Sequence, residues 1–243
     1  MVPNSADAVE FQPNTSTLVD QGMELQLRRF DAELAAGTRR IGWKIGITTG
    51  ASRKPHGLTA PVIGRLDGAR AFASGDAVPL AGAAKVRAEG EMALRVDQAL
   101  EGDATLDQAR AAICGVGPAI ELINLNMDKD NIATILSHSI FHEAVIFGPE
   151  LPPSVLAAGE SLWPVGRRNS KCVRTPEPAM IPTDLPALIL LVARTLSRYG
   201  QRLEPGDRII SGSFIVPLIV EPGDIIEVDF GFLGKVIANT RLS

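Results

Sequence analysis

The sequence predicts an α+β fold dominated by sheet, on three observations. Short β-branched runs recur along the chain, and several begin at a Gly-Asp turn, at residues 74–76, 205–207 and 222–224. Few segments carry apolar residues at helical spacing. No period of solenoid length repeats, and no shift in composition forces a domain boundary.

Taken in order, the first dozen residues are polar, include Pro3, and predict a loose arm. Thr15 or Ser16 can cap a helix whose apolar positions are Met23, Leu27, Phe30 and Leu34, and Gly37 can end it. Residues 40–46 read as a strand whose one charged interior residue is Lys44. From 48 to 64 the chain is rich in Gly, Pro and Thr, a loop long enough to be functional, with His56 in it as a surface residue. Strands follow at 77–80, 85–96 and 119–124, with a helix near 106–113 between the last two. A helix over 183–199 carries Leu185, Leu188, Val192 and Leu196 on one side and stops at Gly200. The last strands are expected at 208–210 and 225–228.

The chain has 243 residues, 45% of them hydrophobic and 21% charged, a globular balance. Its net charge of −4 leaves no basic surplus for nucleic acid or anionic lipid, and 5% aromatics leave little for base stacking. Cys114 and Cys172 form neither a zinc pattern nor a disulfide framework and are expected as two buried free thiols. Residues 1–19 include Asp7 and Glu10 and no apolar run, so no secretory signal is expected. No run reaches the roughly 18 apolar residues of a membrane helix, which makes a cytoplasmic protein the economical expectation. There is no GxGxxG or Walker pattern, and Ser211-Gly212-Ser213 lacks the leading Gly-x of a nucleophile elbow.

The informative segment is Arg87-Ala88-Glu89-Gly90-Glu91-Met92-Ala93-Leu94. On a strand, residues 87, 89 and 91 share one face while Ala88, Gly90, Met92 and Leu94 line the other. Two carboxylates so placed repel each other unless a cation lies between them. Glu121 stands alone in the apolar run 118–123 and needs a partner if that run is buried. Three carboxylates make a hard site suited to Mg²⁺ or Mn²⁺ rather than zinc. The alternative is that Glu89 and Glu91 face solvent and Glu121 pairs with an arginine.

The order Gly-Trp-Lys-Ile-Gly at 42–46, Arg-x-Glu-x-Glu at 87–91 and Pro-Ala-Ile-Glu at 118–121 resembles the 2-oxopent-4-enoate hydratase and 2-oxo-3-hexenedioate decarboxylase group of the fumarylacetoacetate hydrolase superfamily. Residues 206–213, Gly223-Asp224 and 229–234 agree, so the resemblance runs from about Met23 to the C-terminus. It implies a mixed β-roll with a few peripheral helices, an N-terminal helical and loop region over 1–70 and a β-roll catalytic domain over 71–243. It also implies Mg²⁺, or Mn²⁺, on Glu89, Glu91 and Glu121, an active-site lysine at Lys44, and a homo-oligomer acting on a small 2-oxo acid. A Lewis acid at the 2-oxo group would stabilise the enolate formed as a proton moves along the conjugated chain. Lys44 would then transfer a proton or pair with the substrate carboxylate. A Schiff base is a rival role, and a charge snorkelling from a strand edge is the plain one. The expected activity is hydration of a 2-oxo-4-enoate; decarboxylation, C–C hydrolysis and a non-catalytic subunit are the alternatives.

The pattern departs from the family in three places. His138-Ser139-Ile140-Phe141 stands where relatives carry Asp-Asn-x-Ser, Pro182-Thr183-Asp184 where they carry Gly-His-Pro, and Pro61-Val62-Ile63-Gly64 where they carry Pro-Asp-Phe-Gly. His138 is therefore an expected acid or base, with a core histidine as the alternative. Ser139, Ser213 and Arg87 are expected at the substrate, Arg87 with orienting Glu89 or Glu91, or an ordinary surface charge, as its other readings. On a helix His138 and His142 would share one face, although without the glutamate of HExxH they make no metalloprotease signature.

Overall fold

The computed structural model describes residues 11–80, 85–126, 129–158, 162–174 and 184–243. Residues 1–10 of the expected arm and the Pro182-Thr183 part of the second departure lie outside the described residues. Helix α1 (Thr17–Ala35) begins at Ser16, whose Oγ accepts the Val19 N–H. It ends in a Schellman turn, with Gly37 at φ +92° donating to Leu34 and Thr38 donating to Glu33. Strand β1 (Gly42–Gly46) follows. The expected loop over 48–64 holds a short helix α2 (Gly50–Arg53), and its last three residues belong to β2 (Val62–Arg65), antiparallel to β1.

The chain continues through β3 (Ala71–Ala73), β4 (Ala77–Leu80), β5 (Val86–Val96), α3 (Leu106–Ala112) and β6 (Ile113–Asn124). Sequence reading starts β6 six residues late. Its first half carries Gly115, Gly117 and Pro118, which hide a strand held by eleven register pairs with β5. Next come α4 (Ile132–Ser137), β7 (His142–Phe147), β8 (Val165–Arg168) and β9 (Lys171–Arg174). Helix α5 (Leu185–Ser197) starts at Asp184, which accepts the Ala187 N–H; strands β10 (Arg208–Ile210), β11 (Leu218–Val220), β12 (Ile225–Asp229) and β13 (Lys235–Leu242) complete the chain.

Among the described residues the strands form two sheets. One runs β2-β1-β10-β5-β6-β7-β3 with β11 also on β5; the other runs β4-β13-β12-β8-β9. Gly90, Met92 and Leu94 point from β5 into the space between the sheets, where Val228 of β12 stands so close that a Cβ on Gly90 would lie 2.9 Å from its Cγ1. The opposite face of β5 carries Glu89 and Glu91. The mixed, curled sheets with few helices are the β-roll the resemblance implies.

The three Gly-Asp turns share one construction. In each, the Asp N–H donates to the carbonyl three residues back and the glycine sits at φ +93° to +96°, as a type II turn requires. The carboxylate then accepts the N–H three residues back: Asp76 from Ala73, Asp207 from Glu204, Asp224 from Glu221. Asp207 does more than close its turn. It also binds Arg40 through both oxygens at 2.7 Å and accepts Trp43 Nε1–H at 3.3 Å. Trp43 packs edge-on to Phe30 of α1 at 5.4 Å, so the turn ties helix to sheet.

Both cysteines are free, as expected, but neither is buried: Cys114 is half-buried and Cys172 is exposed. Cys114 donates to the Arg95 carbonyl beside the β5–β6 pair, and Cys172 lies on β9, the last strand of the second sheet's order among the described residues.

Asp207→Ala should lower stability by about 3 kcal/mol in urea unfolding, because it orphans a buried indole N–H and strands Arg40. Asp76→Ala, which removes the same turn bond at an exposed site, should cost no more than about 1 kcal/mol.

Candidate metal centre

The centre begins with an antiparallel register. β5 and β6 place Glu89 directly opposite Glu121, with Glu91 one alternation further along the same face. One ligand oxygen from each of the three lies within 4.8 Å of the others. Glu91 and Glu121 are fully buried and Glu89 is half-buried. Carboxylates are gathered here by strand pairing alone, at a cost in repulsion and desolvation that something must offset.

Part of the offset comes from Lys44. Its side chain is 2% exposed, and Nζ lies 2.5 Å from Glu121 Oε1 and 3.0 Å from the Ile140 carbonyl. Three steps of about 4.8 Å separate β1 from β6 along the sheet, so this contact requires the sheet to curl onto its own concave face. The plain reading of Lys44, a charge snorkelling from a strand edge, does not describe this buried position. His142 supplies the second partner: its Nδ1 lies 2.8 Å from the same oxygen.

The electrostatics separate the three acids. Burial pushes Glu121 up, but Lys44's charge and the His142 bond outweigh it and hold Glu121 below the ordinary carboxylate range. Burial and the charge of Glu121 raise Glu89 to about 7 against the pull of Lys44. Burial, then Glu121 and Glu89, push Glu91 well above its usual value, with Lys44 and the Gly212 N–H opposing. That amide donates to Glu91 Oε2 at 2.8 Å from a residue at φ +90°, where a Cβ would meet Thr48 at 2.5 Å. Glycine is the residue that turns its N–H onto the acid here.

Two carboxylate oxygens of the cluster, Glu91 Oε1 and Glu121 Oε2, are buried without a hydrogen-bond partner among the described residues. Three hard carboxylate donors facing one lysine, and two orphaned acceptors among them, fit a divalent cation such as Mg²⁺, which takes oxygens at about 2.0–2.1 Å and keeps open positions.

The other expected site residues make their own hydrogen bonds outside the acid cluster. His138 caps α4, is exposed, and its Nδ1 contacts the Thr134 carbonyl and Ser137 Oγ. The reason is a second Schellman turn: Ser139 donates to Leu136 and Ile140 to Ile135, with Ser139 in the left-handed position that glycine usually fills. Left-handed backbone continues through Ile140 and Phe141, at φ +51°, +53° and +64°, so the helix cannot carry His138 and His142 on one face. The histidine that meets Glu121 is His142. An isolated acid inside one apolar run and a histidine at the start of another were its only signals. Ser139 Oγ points at Gln26 Oε1 (3.5 Å), and Ser213 Oγ donates to the Ile215 carbonyl at 2.7 Å. Arg87 shares the acids' face by alternation, but its guanidinium donates to the carbonyl of Val86.

Comparison with known proteins agrees with this architecture. The chain is 26% identical over 222 residues to the 2-keto-4-pentenoate hydratase of Paraburkholderia xenovorans (strain LB400), covering 90% of this chain and 82% of that protein. It is 26% identical over 228 residues to a 4-oxalocrotonate decarboxylase of Pseudomonas sp., covering 91% and 87%. The structure of 4-oxalocrotonate decarboxylase from Pseudomonas putida G7, complexed with magnesium and adipate, superposes with a TM-score of 0.79 at 24% identity, over 92% of this chain and 86% of that one. Residues 49–241 match the fumarylacetoacetate (FAA) hydrolase C-terminal family, and the chain belongs to that family.

Proposed function

We propose that the chain is a divalent-metal-dependent hydro-lyase that adds water to a small 2-oxo-4-enoate, with Glu89, Glu91 and Glu121 holding Mg²⁺ or Mn²⁺. The observation that carries this reading is the pair of orphaned, buried carboxylate oxygens beside a buried lysine, in a chain related to proteins named as hydratases. A divalent cation in this position supplies a Lewis acid for the 2-oxo group and so an electron sink for proton movement along the conjugated chain.

The chain's own residues supply the rest. Lys44 spends two of its three N–H donors on Ile140 and Glu121. The third is left for the substrate, either to pair with its carboxylate or to move a proton. Burial of Lys44, Glu91 and Glu121 excludes bulk water and strengthens each of these contacts. A Schiff base at Lys44 would break the pair with Glu121 and is not needed where a metal serves as the sink.

Decarboxylation of a related oxo acid at the same centre is the second reading. The 26% identity to a curated 4-oxalocrotonate decarboxylase favours it. Product analysis separates the two, since CO₂ release displaces hydration.

Glu89→Gln and Glu121→Gln should each lower kcat/KM at least about 10³-fold in a hydration assay on 2-hydroxypenta-2,4-dienoate, with circular dichroism unchanged. Excess chelator should silence the wild type, and added Mg²⁺ or Mn²⁺ should restore it.

A pH signature also follows. Between the ordinary value of 4.5 and about 7, Glu89 binds more protons folded than unfolded. Stability of the metal-free protein should therefore fall as pH rises through that window. Mg²⁺ should raise the melting temperature strongly at pH 8 and little at pH 5, as thermal unfolding at both pH values will show.

A further inference from the structure

His142 is a buried imidazole with one nitrogen committed and the other idle. Its side chain is 3% exposed, Nδ1 meets Glu121 Oε1 at 2.8 Å, and Nε2 is buried with no partner among the described residues. An ionised carboxylate only accepts, so the proton in that bond belongs to Nδ1. With that proton on Nδ1, Nε2 is the ring's remaining polar position, and nothing among the described residues bonds to it. Buried acceptors in native folds are nearly always satisfied, so a missing donor marks a place for a ligand. Glu121, which holds the ring, contributes one of the two other orphaned acceptors of the centre.

The ring is firmly placed. The His142 N–H donates to the Ser139 carbonyl, closing the left-handed turn, and His142 pairs with Ile123 on β6. The same turn aims the Ile140 carbonyl at Lys44. One segment thus sets both donors that occupy Glu121 Oε1, and Oε2 is the oxygen left free.

We propose that His142 is a water-orienting residue: Nδ1–H fixes Glu121, and Nε2 accepts a hydrogen bond from the water that the reaction adds to its substrate. This rests on the reading of the centre as a metal-dependent hydratase. Neither His142 nor its two-sided bonding follows from the three acids and the lysine alone.

The test compares wild type with His142→Asn, whose amide nitrogen can stand where Nδ1 does with nothing at Nε2, and His142→Phe, which keeps the ring and loses both nitrogens. Mn²⁺ binding followed by electron paramagnetic resonance, without substrate, reads the hold on Glu121. Steady-state hydration of 2-hydroxypenta-2,4-dienoate reads Nε2. His142→Asn should keep Mn²⁺ affinity and KM within about threefold and lose kcat at least about tenfold, while His142→Phe should weaken Mn²⁺ about 10–100-fold. A His142→Asn kcat within twofold of wild type overturns the proposal. So does a raised KM at constant kcat, which marks a ground-state substrate contact, or wild-type Mn²⁺ affinity in His142→Phe.

Wild type that binds Mn²⁺ yet hydrates no dienoate overturns the functional reading instead. The role of His142 is then still read by ¹⁵N imidazole spectra, which are simple in a chain with three histidines. A ring in the Nδ1–H tautomer that disappears in His142→Asn is expected, and an Nε2–H tautomer at that ring overturns the proposal.

Discussion

One carboxylate oxygen, Glu121 Oε1, organises the centre. It sits in the buried stretch of β6, from Gly115 to Ile123, where an unpaired charge would be untenable, and it is held by Lys44 from β1 and His142 from β7. Those partners lie on either side of β6 in the sheet order. The sheet must therefore curl until β1 faces β6, and the curl creates the concave face on which Glu89 and Glu91 also lie. Satisfying one oxygen twice leaves its neighbour Oε2 without a bond. The arrangement that neutralises Glu121 within the protein is also the one that opens it to a cation.

The three acids are not equivalent, and the difference is positional. Glu121 has Lys44 and His142 against it and stays ionised. Glu89 and Glu91 have burial and the charge of Glu121 against them, so they tend to keep protons. A divalent charge at the cluster inverts that tendency, because it replaces mutual repulsion by shared attraction. Binding of a cation here would release protons through the same electrostatic balance.

The segment 138–141, which the sequence reading set against an Asp-Asn-x-Ser pattern expected from the resemblance, is where the backbone is strained. Three consecutive non-glycine residues in left-handed geometry cost on the order of 1–2 kcal/mol each. The bonds Ser139 to Leu136, Ile140 to Ile135, His142 to Ser139 and Asn124 to the Phe141 carbonyl hold the turn in place. Where side-chain polar groups were expected, the chain offers a backbone carbonyl to Lys44 and, one residue beyond the turn, an imidazole to Glu121.

By itself the sequence determined whatever depends on neighbours in the chain. Alternation on 87–91 put Glu89 and Glu91 on one face, the apolar run around Glu121 demanded a partner, Gly37 marked the end of α1, and three Gly-Asp pairs marked turns. These follow from periodicity, capping and turn chemistry over a few residues. Tertiary structure alone decided that Lys44 reaches Glu121, that His142 rather than His138 meets it, and that the hydroxyls of Ser139 and Ser213 are spent on Gln26 and Ile215. The physical reason is that these outcomes depend on sheet curvature and on a left-handed turn without glycine. Both are set by contacts between residues far apart in the chain, which no local pattern records.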